Sequence, residues 1–297
     1  MSNVIAERTR AVVPVTVAAG PKRKGGWIPT LGLLAGALYT LFPVLWVLIA
    51  STKSIDQLFS TFTLLPGSGL LTNLHQLSAY RGGEFWEWMV NSALYAGVGG
   101  ALSALLSGVT GYALAKYRFA GRGAIFNILL AGVLMPPVVL AVPQYLLFAK
   151  AGLADSYWSV LLPSVISPYG IYLARIYAAG AIPDDVLEAG RMDGASEWRL
   201  FRSVALPMMA PGLVTVFLFQ FVAIWNNFLL PFVMLGDDHK FPVTVGLYTL
   251  LLQGANAPAL YTLVITGALL SVLPLIALFL SLQRFWRLDL LSGAVKS

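Results

Sequence analysis

The sequence has no cysteine and only two histidines, His75 and His239. It therefore excludes a disulfide, a thiol nucleophile and a cysteine-based metal site, and it argues against a histidine metal cluster. Charged residues are scarce as well, at 11% of the chain, whereas 58% of its 297 residues are hydrophobic. Because about a quarter of the residues in soluble domains are charged, this composition predicts an all-α protein that crosses a lipid bilayer several times.

A second absence concerns nucleotide chemistry. No segment matches the Gly-x-x-x-x-Gly-Lys-Ser/Thr pattern of loops that hold nucleotide phosphates. We therefore expect no nucleotide hydrolysis, no cofactor and no metal on this chain, and we predict that it is not an enzyme. A membrane-embedded enzyme is also disfavoured, because the apolar runs hold no cluster of Asp, Glu or His for acid–base or metal chemistry.

Six runs without Asp, Glu, Lys or Arg are long enough to cross a bilayer, which takes about 20 residues. The predicted transmembrane domain occupies 27–283, with spans at about 28–50, 89–114, 124–147, 156–176, 208–232 and 259–282. A further run, 57–80, is excluded because it contains the turn sequence Pro66-Gly67-Ser68-Gly69. The apolar stretch that follows Phe241 is broken at 253–258, so only its later part is predicted to span.

The basic residues predict how these spans are oriented. Fifteen of the nineteen Lys and Arg residues fall on one side of the six predicted spans. This bias places that side in the cytoplasm, together with a basic tail at 1–26 and a C-terminal tail at 284–297. It also accounts for the net charge of +6 without nucleic acid as a partner.

The six runs lack ionisable side chains in their interiors. Carriers coupled to ions or protons use such groups along their pathways, so this absence disfavours a secondary carrier, which remains the alternative. If the protein transports actively, its energy comes from another protein.

One segment of the second half carries dense charge of both signs; we call residues 183–207 the charged loop. Asp184 and Asp185 suit a helix start, Asp193-Gly194 predicts a turn, and Ser196 can cap a second helix. In that second helix, Trp198, Phe201 and Ala205 are expected to share one face. These residues allow two interpretations: a docking element for a soluble partner, or a solvated connection between two spans.

The motifs of the charged loop resemble those of a known family. Glu188-Ala189-Gly190, Asp193-Gly194-Ala195 and Leu206-Pro207 resemble, at this spacing, the cytoplasmic EAA loop of ABC importer permeases. From about Trp27 onward the chain resembles the carbohydrate-uptake branch, specifically the six-span, maltose-type second permease subunit. Supporting stretches are Tyr112-Ala113-Leu114-Ala115-Lys116-Tyr117, Phe119-Ala120-Gly121-Arg122, Met135-Pro136-Pro137, Trp225-Asn226-Asn227 and Ser292-Gly293-Ala294-Val295-Lys296. Two positions depart from the pattern: Gly190 stands where Ala is usual, and Asn227 where Asp is frequent.

This resemblance implies that the loop forms coupling helices that transmit the closure of an ATPase to the spans. It assigns ATPase coupling to Glu188, Ala189, Asp193, Gly194, Ala195, Trp198, Phe201, Leu206 and Pro207. Glu188 would pair with a basic group of the ATPase, Gly194 would let the backbones approach closely, and Pro207 would end the second helix. The C-terminal residues Gly293, Ala294, Val295 and Lys296 would reach between the ATPase subunits, or else form a frayed basic end.

The same resemblance implies the partners. They are a second permease subunit, two ATP-binding cassette ATPases that hold ATP and Mg, an extracytoplasmic solute-binding protein and a carbohydrate. The expected location is a bacterial or archaeal cell membrane, where the complex would import a sugar or oligosaccharide by alternating access. A glycerol phosphate-type ester is the alternative substrate for the same machinery.

Polar and aromatic side chains within the spans are candidates for the substrate pathway, because hydrogen bonds and ring stacking hold neutral sugars. The candidates are Gln144, Tyr145, Tyr169, Tyr172, Gln220, Trp225, Asn226 and Asn227. Packing between helices is the other role that each of them could have.

Overall fold

The structure is a computed structural model that describes residues 27–62 and 64–294. The predicted tail 1–26 lies outside these residues, as do Val295 and Lys296. Within the described ranges every regular element is a helix, which confirms the all-α prediction. The chain divides after Leu45 into two compact units.

The elements follow one another as helices joined by short turns. In chain order they are α1 (Trp27–Ala50), α2 (Ile55–Ser60), α3 (Leu70–Ala79), α4 (Glu84–Lys116), α5 (Arg122–Val133), α6 (Pro137–Lys150), α7 (Tyr157–Val165), α8 (Pro168–Ala181), α9 (Asp184–Met192), α10 (Glu197–Leu200), α11 (Leu206–Trp225), α12 (Leu229–Met234), α13 (Val243–Gln253) and α14 (Leu260–Ala294). A π-helical turn, Phe201–Ala205, joins α10 to α11. The first compact unit contains the described part of α1 up to Leu45, and the second contains everything from Trp46 onward.

Five helical segments of the described chain are long and apolar enough to cross a membrane. They are Trp27–Ala50, Glu84–Lys116, Tyr157–Ala181, Glu197–Trp225 and Leu260–Gln283. The helices α5 and α6 form a sixth candidate, but they are bent by 104° where they meet. The prediction of six spans therefore holds when this bent pair counts as one.

The structure places this bend inside the predicted span at 124–147. It falls at Met135-Pro136-Pro137, where Pro136 has extended backbone angles (φ −63°, ψ 127°) and Pro137 begins α6. A proline has no amide hydrogen to donate, and it disfavours helical angles in the residue before it. Two consecutive prolines therefore end one helix and start another in a new direction.

Two other predicted boundaries also differ from the structure. The fifth span ends at Trp225 instead of 232, because Asn227 accepts a hydrogen bond from the amide of Leu230 (3.2 Å) and a separate short helix, α12, begins there. At the C-terminus, α14 continues through the predicted tail to Ala294. The segment 57–80, excluded as a span, forms only the short helices α2 and α3.

Helix α4 lies at the centre of the second unit, where it packs along both α8 and α11. Small residues permit this contact: a side chain at Gly111 would come within 2.7 Å of the Cβ of Ala174 on α8. Two buried clusters flank the helix. One surrounds Trp88 and Tyr95 in the first half of α4, and the other surrounds Tyr112 near its Lys116 end.

Candidate functional site

The charged loop folds into two short helices, α9 and α10, with a turn between them. Gly194 has a φ of +77°, the left-handed region that glycine adopts without steric cost. The amide of Gly194 donates to the carbonyl of Arg191, and that of Ala195 to the carbonyl of Gly190, both at 3.0 Å. This pair of bonds is the Schellman motif that ends a helix at a left-handed glycine. Gly194 is therefore needed for the turn itself.

One face of the loop is buried against the spans. Its buried members are Leu187, Leu200, Phe201 and Ala205, and they pack with Tyr112 of α4, Ala174 and Ala178 of α8, and Met209 of α11. The rings of Tyr112 and Phe201 have centroids 5.3 Å apart. The loop is thus a packed part of the domain and more than a solvated connection.

The opposite face of the loop is exposed. Glu188, Ala189 and Asp193 lie there, together with Met192, whose side chain is 87% exposed. Trp198 stays 66% exposed although its ring contacts that of Phe201 at a centroid distance of 5.7 Å. Among the three residues expected to share a face, Phe201 and Ala205 are buried and Trp198 lies at the exposed edge.

Pro207 does not end the second helix, so that prediction is wrong. A single apolar helical segment runs from Glu197 to Trp225 and contains it. Just before the proline the hydrogen-bond spacing widens, since the amide of Leu206 donates to the carbonyl of Phe201 five residues earlier. Pro207 then occupies the first turn of α11, where the missing amide hydrogen of a proline is tolerated.

The end of α4 holds the charged loop through hydrogen bonds. The Lys116 ammonium donates to the carbonyl of Ile182 (2.6 Å) and pairs with Asp184 (2.7 Å) at the start of α9. The Tyr117 hydroxyl donates to Glu197 (2.6 Å) at the start of α10. Arg191, at the end of α9, pairs with the other oxygen of Glu197 (2.8 Å).

These partners shift the pKa values of the carboxyl groups. The hydrogen bond and charge of Lys116 lower the pKa of Asp184, and the hydrogen bonds from Arg191 and then Tyr117 lower that of Glu197. Both carboxyl groups are therefore held in the charged form that accepts these bonds. Sequence reasoning did not assign this role to Lys116 and Tyr117; the available signal was a Lys-Tyr pair at the end of an apolar helix.

A second feature is a cleft of about 500 Å³ at the bend between α5 and α6. Its described lining comes from six helices (α5, α6, α7, α8, α11 and α12) and the turns beside them: Gly132, Met135, Pro137, Leu140, Ala141, Gln144, Pro163, Ser164, Ile166, Pro168, Gln220, Ala223, Ile224, Asn227, Leu229 and Leu230. Three of the predicted pathway residues, Gln144, Gln220 and Asn227, are among them. The bend at Pro136-Pro137 thus forms one wall of the cleft.

The other five predicted pathway residues are not part of this lining. Trp225 is buried, and its indole nitrogen donates to the carbonyl of Ser271 (3.2 Å). Tyr172 stacks on Phe126, and the Asn226 amide donates to the carbonyl of Val222 (2.8 Å). Tyr145 and Tyr169 lie elsewhere, with side chains about 40% exposed.

Ser167 organises the polar edge of the cleft, although the sequence did not point to it. Its hydroxyl accepts a hydrogen bond from the amide of Gly170 (2.9 Å) and so caps α8. The same hydroxyl accepts from the amide of Gln220. This bond fixes the orientation of Gln220, and the available signal was a serine directly before the proline that begins a helix.

Comparison with known proteins identifies the family. Residues 104–287, which include the charged loop and all described lining residues of the cleft, match the family described as binding-protein-dependent transport system inner membrane component. The chain belongs to this family. It is therefore a multi-pass inner membrane component of a transport system, and the prediction of a transport component and not an enzyme is confirmed.

Individual relatives agree with this family. The chain is 33% identical over 273 residues to the arabinooligosaccharides transport system permease protein AraQ of Halalkalibacterium halodurans, covering 91% of this chain and 96% of that protein. It is 28% identical to the sn-glycerol-3-phosphate transport system permease protein UgpE of Salmonella choleraesuis, covering 85% and 91%. The fold matches a chain of a bacterial ABC transporter involved in the import of alginate, with a TM-score of 0.75, 24% identity and coverage of 87% and 95%.

At the C-terminus of this inner membrane component, only part of the predicted ATPase-docking segment is described. Gly293 and Ala294 continue α14. Val295 and Lys296 lie outside the described residues, so their assignment remains a prediction from the resemblance.

Proposed function

We propose that this chain is the permease subunit of an ATP-driven importer of a neutral sugar or oligosaccharide. It works as a heterodimer with a second permease subunit, beside two ATPase subunits that bind ATP and Mg and an extracytoplasmic solute-binding protein. The carbohydrate moves by alternating access, so each partner shifts the conformational equilibrium only through its differential affinity for the two states.

The observation that carries the proposal is the two-sided character of the charged loop. Its inner face is buried in the domain core, whereas Val186, Met192 and Trp198 expose apolar side chains beside the acidic Glu188 and Asp193. Exposed apolar groups of this size beside charges are typical of a protein interaction site. Force applied to this surface reaches the spans directly, because the loop packs on α4, α8 and α11.

The cleft supports an uncharged substrate. Its described lining contains amides, a hydroxyl and apolar groups but no ionisable side chain. A sugar needs hydrogen-bond donors and acceptors, which Gln144, Gln220 and Asn227 supply. A phosphate ester would favour Arg, Lys or several convergent backbone amides. The lining therefore favours the sugar over glycerol phosphate as the substrate, and arabinooligosaccharides are the first class to test.

The orientation follows from charge. With fifteen of nineteen Lys and Arg on the side of the charged loop, both termini and the loop are cytoplasmic. The predicted C-terminal contact of Gly293 to Lys296 with the ATPase would lie on the same side. If deletion of 291–297 leaves ATP turnover of the complex unchanged, that contact is not used.

The decisive experiment is co-purification. The chain carrying an affinity tag is expressed with its cognate second permease and ATPase, and the purified complex is placed in lipid nanodiscs. We expect the ATPase to co-purify and a ligand-loaded binding protein to stimulate ATP turnover. A stable, correctly inserted permease pair that retains no ATPase would contradict the proposal and favour the secondary carrier.

A matched variant tests the surface in the same preparation. Trp198→Ala together with Met192→Ala removes exposed apolar groups and leaves the buried face intact, so we expect loss of the ATPase and retention of the second permease. Tyr39→Ala is the control, since it removes a large side chain from the apolar helix α1 instead. Equal ATPase retention by both preparations would exclude the exposed face of the loop as the docking surface.

A further inference from the structure

Helix α4 makes side-chain hydrogen bonds to two different loops, one near each of its ends. At the Lys116 end it holds the charged loop through Lys116 and through Tyr117, which follows the last residue of the helix. Near the Glu84 end it holds the segment 238–243. We call this second segment the distal segment.

The bonds to the distal segment come from one face of α4. Trp88 donates to the carbonyl of Asp238 (3.1 Å) and Tyr95 to that of Lys240 (3.0 Å). Between them, the Asn91 amide donates to the carbonyls of His239 (2.8 Å) and Phe241 (3.1 Å). Four consecutive carbonyls, 238 to 241, thus accept hydrogen bonds from residues spaced at i, i+3 and i+7, positions that share a helix face.

In a fifth hydrogen bond, α4 provides the acceptor instead of the donor. The amide of Val243, at the start of α13, donates to the hydroxyl of Ser92 (2.8 Å). Trp88, Asn91, Ser92 and Tyr95 are all at most 5% exposed. Because a broken hydrogen bond would leave a buried polar group without a partner, the distal segment has to follow any displacement of α4.

As a membrane-spanning helix, α4 places the two attachment regions on opposite sides of the membrane. Helix α4 has 33 residues, a length of about 50 Å at 1.5 Å per residue, whereas the hydrocarbon core is about 30 Å thick. The helix contains no proline, and its glycines at 99, 100, 108 and 111 lie directly against residues of α7, α8 or α11. These contacts oppose bending at these glycines, so the helix can transmit a displacement from one end to the other.

We propose that α4 mechanically connects the charged loop to the distal segment, with Lys116 and Tyr117 as positioning residues that fix the loop to the helix end beside the packed rings of Tyr112 and Phe201. This inference rests on the proposed function, in which an ATPase moves the charged loop. It adds a route by which nucleotide binding on one side changes the surface presented on the other side.

The test measures hydrogen–deuterium exchange of the complete complex in nanodiscs, with and without a non-hydrolysable ATP analogue and Mg. In the unmodified complex we expect nucleotide to change exchange in both the charged loop and the distal segment. In Lys116→Gln/Tyr117→Phe, the change in the distal segment should fall by more than half while the change in the charged loop persists. A structural role alone would alter exchange equally with and without nucleotide.

Two further variants keep the test decisive. Glu197→Gln weakens the contact of Tyr117 without altering α4, and it should reduce the response of the distal segment in the same direction. Lys150→Gln/Tyr261→Phe makes the same chemical changes elsewhere and should behave like the unmodified complex. If the doubly substituted α4 variant does not assemble, Glu197→Gln carries the test alone.

The outcomes separate this inference from the proposed function. A distal segment that responds fully to nucleotide in Lys116→Gln/Tyr117→Phe or in Glu197→Gln overturns the connection through α4. So does an unmodified complex that binds its ATPase but shows no response in the distal segment. Failure of the ATPase to bind the unmodified permease contradicts the proposed function itself.

Discussion

The side chain of Leu200 occupies the space that a side chain at Gly190 would need. Leu200 belongs to α10 and is 1% exposed, and Gly190 lies in α9. The two helices of the charged loop therefore meet at this pair, and the glycine permits the contact. The departure from the usual alanine in the family motif has a local steric reason.

We expect Gly190→Ala to destabilise the loop even though alanine favours a helix. The gain in helix propensity is at most about 1 kcal/mol, whereas displacing a fully buried leucine costs about 1–3 kcal/mol. A net cost of about 1 kcal/mol corresponds to roughly fivefold faster amide exchange in α9 and α10. Hydrogen–deuterium exchange measures this directly.

The variant Leu200→Val, with its smaller side chain, is the control for Gly190→Ala. Combined with Gly190→Ala, it should cost less than the sum of the two single effects, because valine leaves room for the added methyl group. Strictly additive costs would mean that the two positions do not compete for the same space.

Substitutions at Gly194 can distinguish the effect of backbone strain from the effect of contact with a partner protein. The family resemblance predicts that Gly194→Asp abolishes uptake while membrane insertion survives, and no atom of the described chain lies within 4 Å of a Cβ placed there. Ala at φ +77° bears a strain of about 1–2 kcal/mol but adds only a methyl group. Asn tolerates this backbone conformation better but is larger.

The comparison of Gly194→Ala with Gly194→Asn therefore decides between two roles. If a partner approaches closely, Asn should reduce ATPase retention and ATP turnover more than Ala does. If the turn alone matters, Ala should be the more harmful substitution. Normal uptake by an inserted Gly194→Asp variant would exclude a close approach by the partner.

Substitutions in the cleft should affect transport without affecting assembly. Gln220→Leu removes the side-chain amide that donates to the Ser167 hydroxyl. Asn227→Leu removes the side-chain oxygen that accepts from the amide of Leu230. Each variant therefore loses one polar group at the edge of the cleft. Losing a hydrogen bond to a sugar costs about 0.5–1.5 kcal/mol, which predicts roughly a twofold to tenfold loss of uptake.

Uptake of labelled arabinooligosaccharide in proteoliposomes measures this effect. Asn226→Leu is the matched control, because Asn226 neighbours Asn227 but lies outside the described lining. An equal loss in all three variants, or a loss of ATPase binding, would indicate a structural cause in place of substrate contact.

The exposed pair of His239 and Glu87 predicts a pH dependence in the distal segment. The His239 ring nitrogen lies 2.7 Å from a Glu87 oxygen, and this hydrogen bond and charge raise the pKa of His239. Because the pKa of His239 is raised, the ion pair stabilises the folded state fully at a pH below the ordinary histidine pKa of about 6.5. This stabilisation is lost as the pH rises through the raised pKa. Glu87→Gln should lower the pKa of His239.

An NMR titration of the imidazole signals can follow this change, because the chain has only one other histidine. The His75→Gln background leaves His239 as the single signal. A pKa of His239 that does not fall in Glu87→Gln would show that the pair does not form in solution.

Much of the architecture is readable from the sequence because lipid imposes simple rules. Charge-free runs of spanning length, interrupted by Pro66-Gly67 and by the break at 253–258, predicted which segments cross the membrane. The mixed charges of the charged loop and its Asp193-Gly194 turn predicted a helical pair outside the bilayer. These are local properties, and each residue needs only its own neighbours to express them.

The sequence analysis was incomplete where the end or direction of a helix depends on the structure around it. Pro207 looked like a terminator, but the π turn before it changes the hydrogen-bond spacing and lets the helix continue. The prolines at 136 and 137 were visible, yet the 104° bend that they produce was not. The angle depends on the packing around the bend, which no local pattern encodes.

The sequence by itself determined the membrane class, the helical fold and the position of the charged loop, because the energetic cost of charge in hydrocarbon acts on each residue separately. Only the tertiary structure decided which residues meet: Leu200 with Gly190, Lys116 with Asp184, Tyr117 with Glu197, and Gln220 with Ser167. Such contacts join residues up to 80 positions apart in sequence. Helix packing brings these side chains within bonding distance, and the pattern of residues along the chain does not encode which side chains will meet.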